Sequence, residues 1–271
     1  MSQSPDQLAL VLLTTRHSPE GVSAAFRRVY QAVLAGARHI KTGNFTALAG
    51  DDVETMFTLI DGAFYGGGLR LLLELVRCSI SFHASSRLTR SGGLTKQFRP
   101  RGQKQIPFVP GCRYEIVLSS TLLFQTFQDV SRPVHVSGLL CADRLEAALR
   151  IMEHETVHLL EMIAVGTSSC DREPFKAMAR GVFGHTLPRH DLVTQGERAR
   201  EKHGLKVGDQ VKFAFEGRML VGLLNRITRR ATVLVEDAKG QLYTSGKRYL
   251  KFYIPLGMLL PVNGGSAAPP S

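Results

Sequence analysis

The sequence predicts an α+β fold in two parts: a helix-rich domain that carries a small antiparallel sheet, followed by a small all-β barrel. Three observations predict it. Apolar residues recur at helical spacing in several stretches before residue 192, period-two alternation marks strands between residues 77 and 118, and short β-rich runs punctuated by glycine fill residues 204–262. The chain has 271 residues, 44% hydrophobic and 21% charged, which is typical of globular domains.

The net charge and the cysteines indicate which partner and which cellular compartment to expect. The formal net charge is +11, which favours an acidic partner, with nucleic acid as the first candidate. The four cysteines form no C-x-x-C pair, and the N-terminal apolar run Leu8–Leu13 is too short for a signal segment or a membrane span. We therefore expect a cytoplasmic protein, nucleoid-associated if it is bacterial, with no membrane partner.

Residues 1–50 are predicted to form a helical N-terminal extension. Ser18-Pro19-Glu20 combines a cap residue, a proline suited to the first helical position and an acidic first turn. An apolar stripe follows and ends at Ala35-Gly36. Nothing here predicts chemistry, so we expect a packing or adapter segment whose role the sequence leaves open.

Residues 51–192 are predicted to form the central domain. Asp51-Asp52 suit a helix N-terminus, and Gly66-Gly67-Gly68 predicts a turn because no phosphate-loop frame surrounds it. The remaining elements follow from periodicity: strands around residues 78–83 and 114–119, a short helix over 119–127, a strand over 134–136 and a helix over 174–182.

A basic segment separates the two longer predicted strands. From Arg87 to Lys104 the chain has six basic residues and no acidic one, with Phe98 interleaved. Such a segment is typical of a nucleic-acid contact, for which Arg87, Arg90 and Lys96 are the candidates, but equally of a solvated basic hairpin loop.

The chemistry of the domain centres on His154-Glu155-Thr156-Val157-His158, an H-E-x-x-H motif. On a helix His154 and His158 share one face and can grip one metal ion, and Glu155 can take a proton from a water molecule on that ion. Asp143 is the expected N-cap and Gly166 the expected C-terminal stop. We therefore predict a Zn²⁺ site.

Residues 193–203 are polar and charged, and they predict a linker or a solvated helix. Residues 204–262 predict the barrel, which carries ten Lys or Arg against four Asp or Glu. Asn225–Arg230 forms a compact basic turn, so Arg226, Arg229 and Arg230 are further nucleic-acid candidates. The tail, residues 263–271, is rich in Gly, Ser, Ala and Pro and is predicted to be disordered.

Residues 52–192 resemble the SprT-like, Spartan-related family of zinc metalloproteases. The resemblance rests on motifs in the expected order, from Phe64-Tyr65 with its glycine turn, through Ser86–Thr89 and Gly92–Thr95, to Tyr114-Glu115-Ile116, the H-E-x-x-H and Phe175. It implies a zincin-like α+β fold and zinc-dependent proteolysis near DNA. The C-terminal barrel loosely resembles SH3-like modules of the KOW or Tudor type.

The third zinc ligand departs from the family pattern. The family has a His that begins an H-G-x-x-F segment, and this place falls on Asp171 here. His185, beside the flexible Gly184, is our preferred third ligand, with Asp171, Cys170 and His190 as alternatives.

These expectations favour a zinc metallopeptidase that acts on DNA-associated or DNA-crosslinked protein. Glu155 would act as the general base, and the strand around Tyr114–Leu118 would pair with an extended substrate. The alternatives are a nucleic-acid-binding adapter with a structural or vestigial metal site, and a metallopeptidase with no role at DNA. Substrate, trigger and oligomeric state stay open.

Overall fold

A computed structural model describes residues 4–129, 132–228 and 230–262, and it shows an α+β protein. Its contacts divide the chain into two compact units, Met1–Leu192 and Val193–Ser271. Arg229 and the predicted disordered tail, residues 263–271, lie outside the described residues. In the described parts of the chain, none of the helices combines the length and the apolar character needed to cross a membrane.

The first unit contains seven helices and five strands among its described residues. The helices are α1 (Pro5–Thr14), α2 (Pro19–Gly36), α3 (Gly50–Tyr65), α4 (Gly68–Leu75), α5 (Ser120–Asp129), α6 (Arg144–Ala164) and α7 (Glu173–Phe183). The strands are β1 (Ser79–Ser85), β2 (Gly93–Phe98), β3 (Arg113–Ser119), β4 (Val134–Val136) and β5 (Leu139–Cys141).

Helices α1 and α2 begin where capping chemistry places them. The hydroxyls of Ser4 and Ser18 accept the backbone N–H groups of Gln7 and Gly21, and each helix has proline in its first turn. Their buried residues belong to the same apolar core as those of α3, α6 and α7. The N-terminal residues are therefore an integral layer of the unit that contains the H-E-x-x-H helix.

A buried arginine secures the start of α6. Arg144 is 2% exposed and donates to the backbone carbonyls of Leu123 at 2.9 Å, Phe124 at 3.1 Å and Phe45. These carbonyls belong to α5 and to the segment before α3. A single guanidinium thus links three parts of the core and holds α6 in place.

The three-stranded sheet has the order β1-β3-β2. β1 runs parallel to β3, and β2 runs antiparallel to β3. The sheet is therefore mixed, and the prediction of an antiparallel sheet is wrong. The strand around Tyr114–Leu118 is the central strand, and the prediction that it pairs with substrate is wrong because both of its edges are occupied. The edge strand beside α6 is β2, which lies within the basic segment from Arg87 to Lys104.

The second unit contains helix α8 (Gln195–His203), which is the helical one of the two forms, linker or solvated helix, that the sequence predicts for residues 193–203. Thr194 caps its N-terminus, and Gly204 ends it in the left-handed conformation at φ 63°. Five strands follow: β6 (Gln210–Phe215), β7 (Arg218–Ile227), β8 (Ala231–Leu242), β9 (Arg248–Ile254) and β10 (Leu260–Pro261). Val211, Phe213, Leu224 and Val233 form the centre of their core.

The strands of the second unit form one sheet of order β10-β6-β7-β8-β9. β9 and β10 are its two edges in the described part of the chain, so this sheet does not close on itself and the predicted barrel is wrong. The final strand has only two residues, and Pro261 has no N–H with which to extend the ladder. This short strand covers the edge of β6 and does not reach a second partner.

Candidate metal centre and cleft

Helix α6 carries the H-E-x-x-H motif into a cleft of about 520 Å³. His154, Glu155 and His158 line its floor together with Ile151 and Met162. One wall is the segment from Arg90 to Thr95, which leads into β2. The other wall combines residues 136–137 with residues 188–190, which pair through a bridge between Val136 and His190.

The two motif histidines face each other. Their Nε2 atoms are 3.1 Å apart, a distance that the i, i+4 spacing on one helix face permits. Burial lowers the pKa of His154 to about 3 and the pKa of His158 to about 4. Both rings are therefore neutral at physiological pH, which is the form of imidazole that binds a metal ion.

Cys170 completes a group of three donors. Its Sγ and the ring nitrogens of His154 and His158 all lie within 4.8 Å of one another, and each of the three residues is half-buried. Burial raises the pKa of the Cys170 thiol, so its thiolate form needs a neighbouring cation. Two imidazoles and one thiolate are a donor set that suits Zn²⁺.

A chain of hydrogen bonds at Nδ1, the ring nitrogen that does not face His154, orients the ring of His158. Its Nδ1 lies 2.6 Å from Ser168 Oγ, and that hydroxyl donates to Glu161 Oε2 at 2.5 Å. The same carboxylate oxygen accepts the Ser169 N–H at 3.3 Å. The second ring nitrogen of a metal-binding His commonly has such a partner. Sequence reasoning missed Ser168 and Glu161, although a Glu one turn after His158 on an apolar helix was a usable signal.

The Glu155 carboxylate points toward the sheet and is 4% exposed. Thr95 Oγ1 donates to its Oε2 at 2.7 Å and also lies 3.1 Å from the Glu155 carbonyl oxygen. Burial raises the pKa of Glu155 to about 7, against the opposing effect of the Thr95 hydrogen bonds. Such a group can both accept and return a proton near neutral pH.

His185, the preferred third ligand, is not grouped with the histidine pair in the described residues. Gly184 ends α7 in the left-handed conformation at φ 71°, and the turn stacks the His185 ring on Phe183. From there Nε2 lies 2.9 Å from Glu153 Oε2, a buried carboxylate that Arg150 also contacts at 3.0 Å. Among the candidate third ligands in the described residues, Cys170 is therefore the one that is grouped with the histidine pair.

The other two alternatives also lie outside the group of donors. Asp171 is exposed. His190 lines the cleft, but its Nε2 accepts the Gly92 N–H at 2.8 Å, so that nitrogen is occupied. This bond fixes the glycine turn that precedes β2.

The predicted nucleic-acid residues divide between the two units. Arg87 and Arg90 are exposed, and Arg90 lies at the cleft. Lys96 is paired with Glu115 at 3.3 Å. Arg226 and Arg230 are exposed in the second unit, and Arg229 is outside the described residues.

Comparison of the chain with models of known protein families, with curated proteins and with solved structures gave no significant match.

Proposed function

We propose that this chain is a zinc-dependent peptidase of zincin-like type, with Zn²⁺ held by His154, His158 and Cys170. The observation that carries the proposal is the grouping of these three donors within 4.8 Å on the floor of an open cleft, beside Glu155. A closed structural zinc site has four protein ligands, whereas a catalytic site has three and keeps a position open. Three donors at an open cleft favour catalysis.

The residues fit the ion in three further respects. Both imidazoles are neutral, and their Nε2 atoms lie 3.1 Å apart, close enough to share one ion. His158 has a partner for its other nitrogen in Ser168. A bound cation would stabilise the Cys170 thiolate, which burial otherwise disfavours.

The ion, when bound, would lower the pKa of a water molecule and polarise a substrate carbonyl. Glu155 would accept the proton of that water molecule and return it to the leaving amine. The raised pKa of Glu155, about 7, suits both halves of this exchange. The apolar floor formed by Ile151 and Met162 would limit access of bulk water to the scissile bond.

The free edge of β2 is the proposed peptide-binding element. β2 pairs with β3 on one side, and no other described strand pairs with it. Its first residues line the cleft next to Glu155. An extended peptide can add to such an edge through main-chain hydrogen bonds. This geometry supports a polypeptide substrate over a small molecule.

We extend the proposal to protein substrates that are bound or crosslinked to DNA. Its support is the net charge of +11 and the exposed Arg87 and Arg90, the latter at the cleft together with the exposed Arg189. Nucleic-acid affinity that falls steeply with salt would agree with this extension. Affinity that does not respond to salt would leave a peptidase without a role at DNA.

The test compares cleavage of an unfolded, DNA-binding protein by wild type and Glu155→Gln, each with its zinc content measured. We expect one zinc per chain in both proteins and cleavage by wild type alone. Equal cleavage by both would contradict the proposed base. A fold that collapses when zinc is removed, together with DNA binding and no cleavage, would instead favour the adapter.

A further inference from the structure

Strand β2 meets helix α6 at the Glu155 side chain. The hydroxyl of Thr95 lies 2.7 Å from Oε2, and a Cβ added to Gly93 would come within 2.5 Å of Oε1. The same added Cβ would lie 2.6 Å from Ile151 Cγ2. The strand therefore leaves a space at Gly93 that the Glu155 carboxylate fills, and Thr95 bonds the carboxylate inside it.

We infer that Thr95 is a positioning residue that fixes the Glu155 carboxylate for general-base chemistry, an inference that rests on the proposed function. Thr95 is 6% exposed and therefore has few rotamers open to it. Because Oε2 accepts the Thr95 hydroxyl, we assign the proton transfer to Oε1, which lies against Gly93 in the lining of the cleft. A carboxylate held by one oxygen presents the other in a defined direction.

The inference gives β2 two functions. Its free edge is the proposed peptide-binding element, and its inward-facing Thr95 holds the base. The substrate carbonyl and the base are thereby aligned relative to one strand. Small misplacements of reacting groups lower the reaction rate strongly. One strand that contacts both the substrate and Glu155 would keep the distance between them constant.

A structural role for Thr95 is the competing explanation, because a buried hydroxyl needs a hydrogen-bond partner whatever its function. Thr95→Val and Thr95→Ser separate the two. Valine keeps the shape and loses the hydroxyl, whereas serine keeps the hydroxyl and loses a methyl group. Thr126→Val is the matched control, since Thr126 is also fully buried and donates to a backbone carbonyl, that of Leu122 at 2.6 Å, away from the cleft.

The experiment measures kcat, KM, zinc content and the crystal structures of the four proteins. We expect Thr95→Val to lower kcat about tenfold to a hundredfold, the usual effect of removing a hydrogen bond to a charged group, with KM and zinc content unchanged. We expect Thr95→Ser and Thr126→Val to retain the kcat of wild type. A Thr95→Val protein with wild-type kcat, or a Thr95→Ser protein as slow as Thr95→Val, would overturn the inference.

The crystal structures decide the inference even if wild type cleaves no peptide, in which case the proposed function fails separately. We expect the Glu155 carboxylate to stay against residue 95 in wild type and Thr95→Ser, and to adopt another rotamer in Thr95→Val. An unchanged rotamer in all of these proteins would show that Thr95 does not position Glu155.

Discussion

The sulfur of Cys170 lies within 4.8 Å of a ring nitrogen of His158, and both residues line the same cleft. Twelve positions separate them in the sequence, so the contact depends on the turn that follows α6 and returns the chain to the helix. This relationship makes a Cys, rather than a third His, the expected partner of the H-E-x-x-H pair.

The first prediction separates Cys170 from His185. Cys170→Ala should weaken zinc binding more than about 100-fold. It removes a ligand itself, and this loss should cost more affinity than the loss of a residue that only supports a ligand. His185→Gln should retain full zinc stoichiometry, because His185 contacts Glu153 instead. Competition with a chromophoric chelator measures both affinities. Cys78→Ala, another half-buried cysteine, is the control, and the reverse ranking would rule out this ligand set.

The second prediction concerns Ser168. Ser168→Ala removes the hydroxyl between His158 Nδ1 and Glu161, so zinc affinity should fall about tenfold to a hundredfold with the fold intact. Ser169→Ala is the matched control, because Ser169 contacts Glu161 through its backbone N–H, which the substitution keeps. Equal affinities in the two variants would show that the Ser168 hydroxyl does not support His158.

The third prediction concerns the stability of the first unit. Arg144→Met removes the guanidinium that donates to three backbone carbonyls of the core and should lower the free energy of unfolding by about 3 kcal/mol or more. Arg28→Met, on the exposed face of α2, should change it by less than about 0.5 kcal/mol. Urea denaturation measures both. If Arg144→Met leaves the free energy of unfolding unchanged, the guanidinium does not link these segments.

The fourth prediction is a pH dependence at Asp61. This carboxyl is 1% exposed and accepts the backbone N–H groups of Leu69 at 2.9 Å and Arg70 at 3.1 Å. Burial raises its pKa above the usual 3.8, so between these two pKa values the folded state binds more protons than the unfolded state. Its contribution to stability therefore decreases as pH rises through that window.

The comparison of wild type with Asp61→Asn isolates this effect, because the amide does not titrate. The unfolding free energy of wild type minus that of the variant should decrease as pH rises above 3.8. Asp6→Asn, at an exposed position on α1, is the control for a general change in net charge. If the difference in unfolding free energy increases with pH, the pKa of Asp61 is lowered in the folded state and the prediction is wrong.

The secondary structure of the first unit was largely predictable because its signals are local. Capping at Ser18 and Asp143 and the apolar periodicity of α6 fix where those helices begin and which face they bury. The sheet order was not predictable. Pairing of β1 with β3 in parallel, which leaves β2 at the edge, depends on packing against α3 and α6, and local sequence does not encode it.

The part of the candidate site that lies on helix α6 was predictable from the sequence. The donor that comes from a later segment of the chain was not. Spacing alone places His154 and His158 together. The third donor depends on the conformation of the chain after α6, so the sequence leaves His185, Asp171, Cys170 and His190 as alternatives. Thr95 approaches Glu155 from another element altogether, and no sequence pattern indicated that contact.

The most direct test of the account is zinc X-ray absorption spectroscopy of the purified full chain, together with Cys170→Ser. We expect one sulfur and two imidazole nitrogens in the first coordination shell of zinc in wild type, and loss of the sulfur in Cys170→Ser. A wild-type shell of nitrogen and oxygen alone, or a sulfur signal that survives in Cys170→Ser, would contradict the proposed centre.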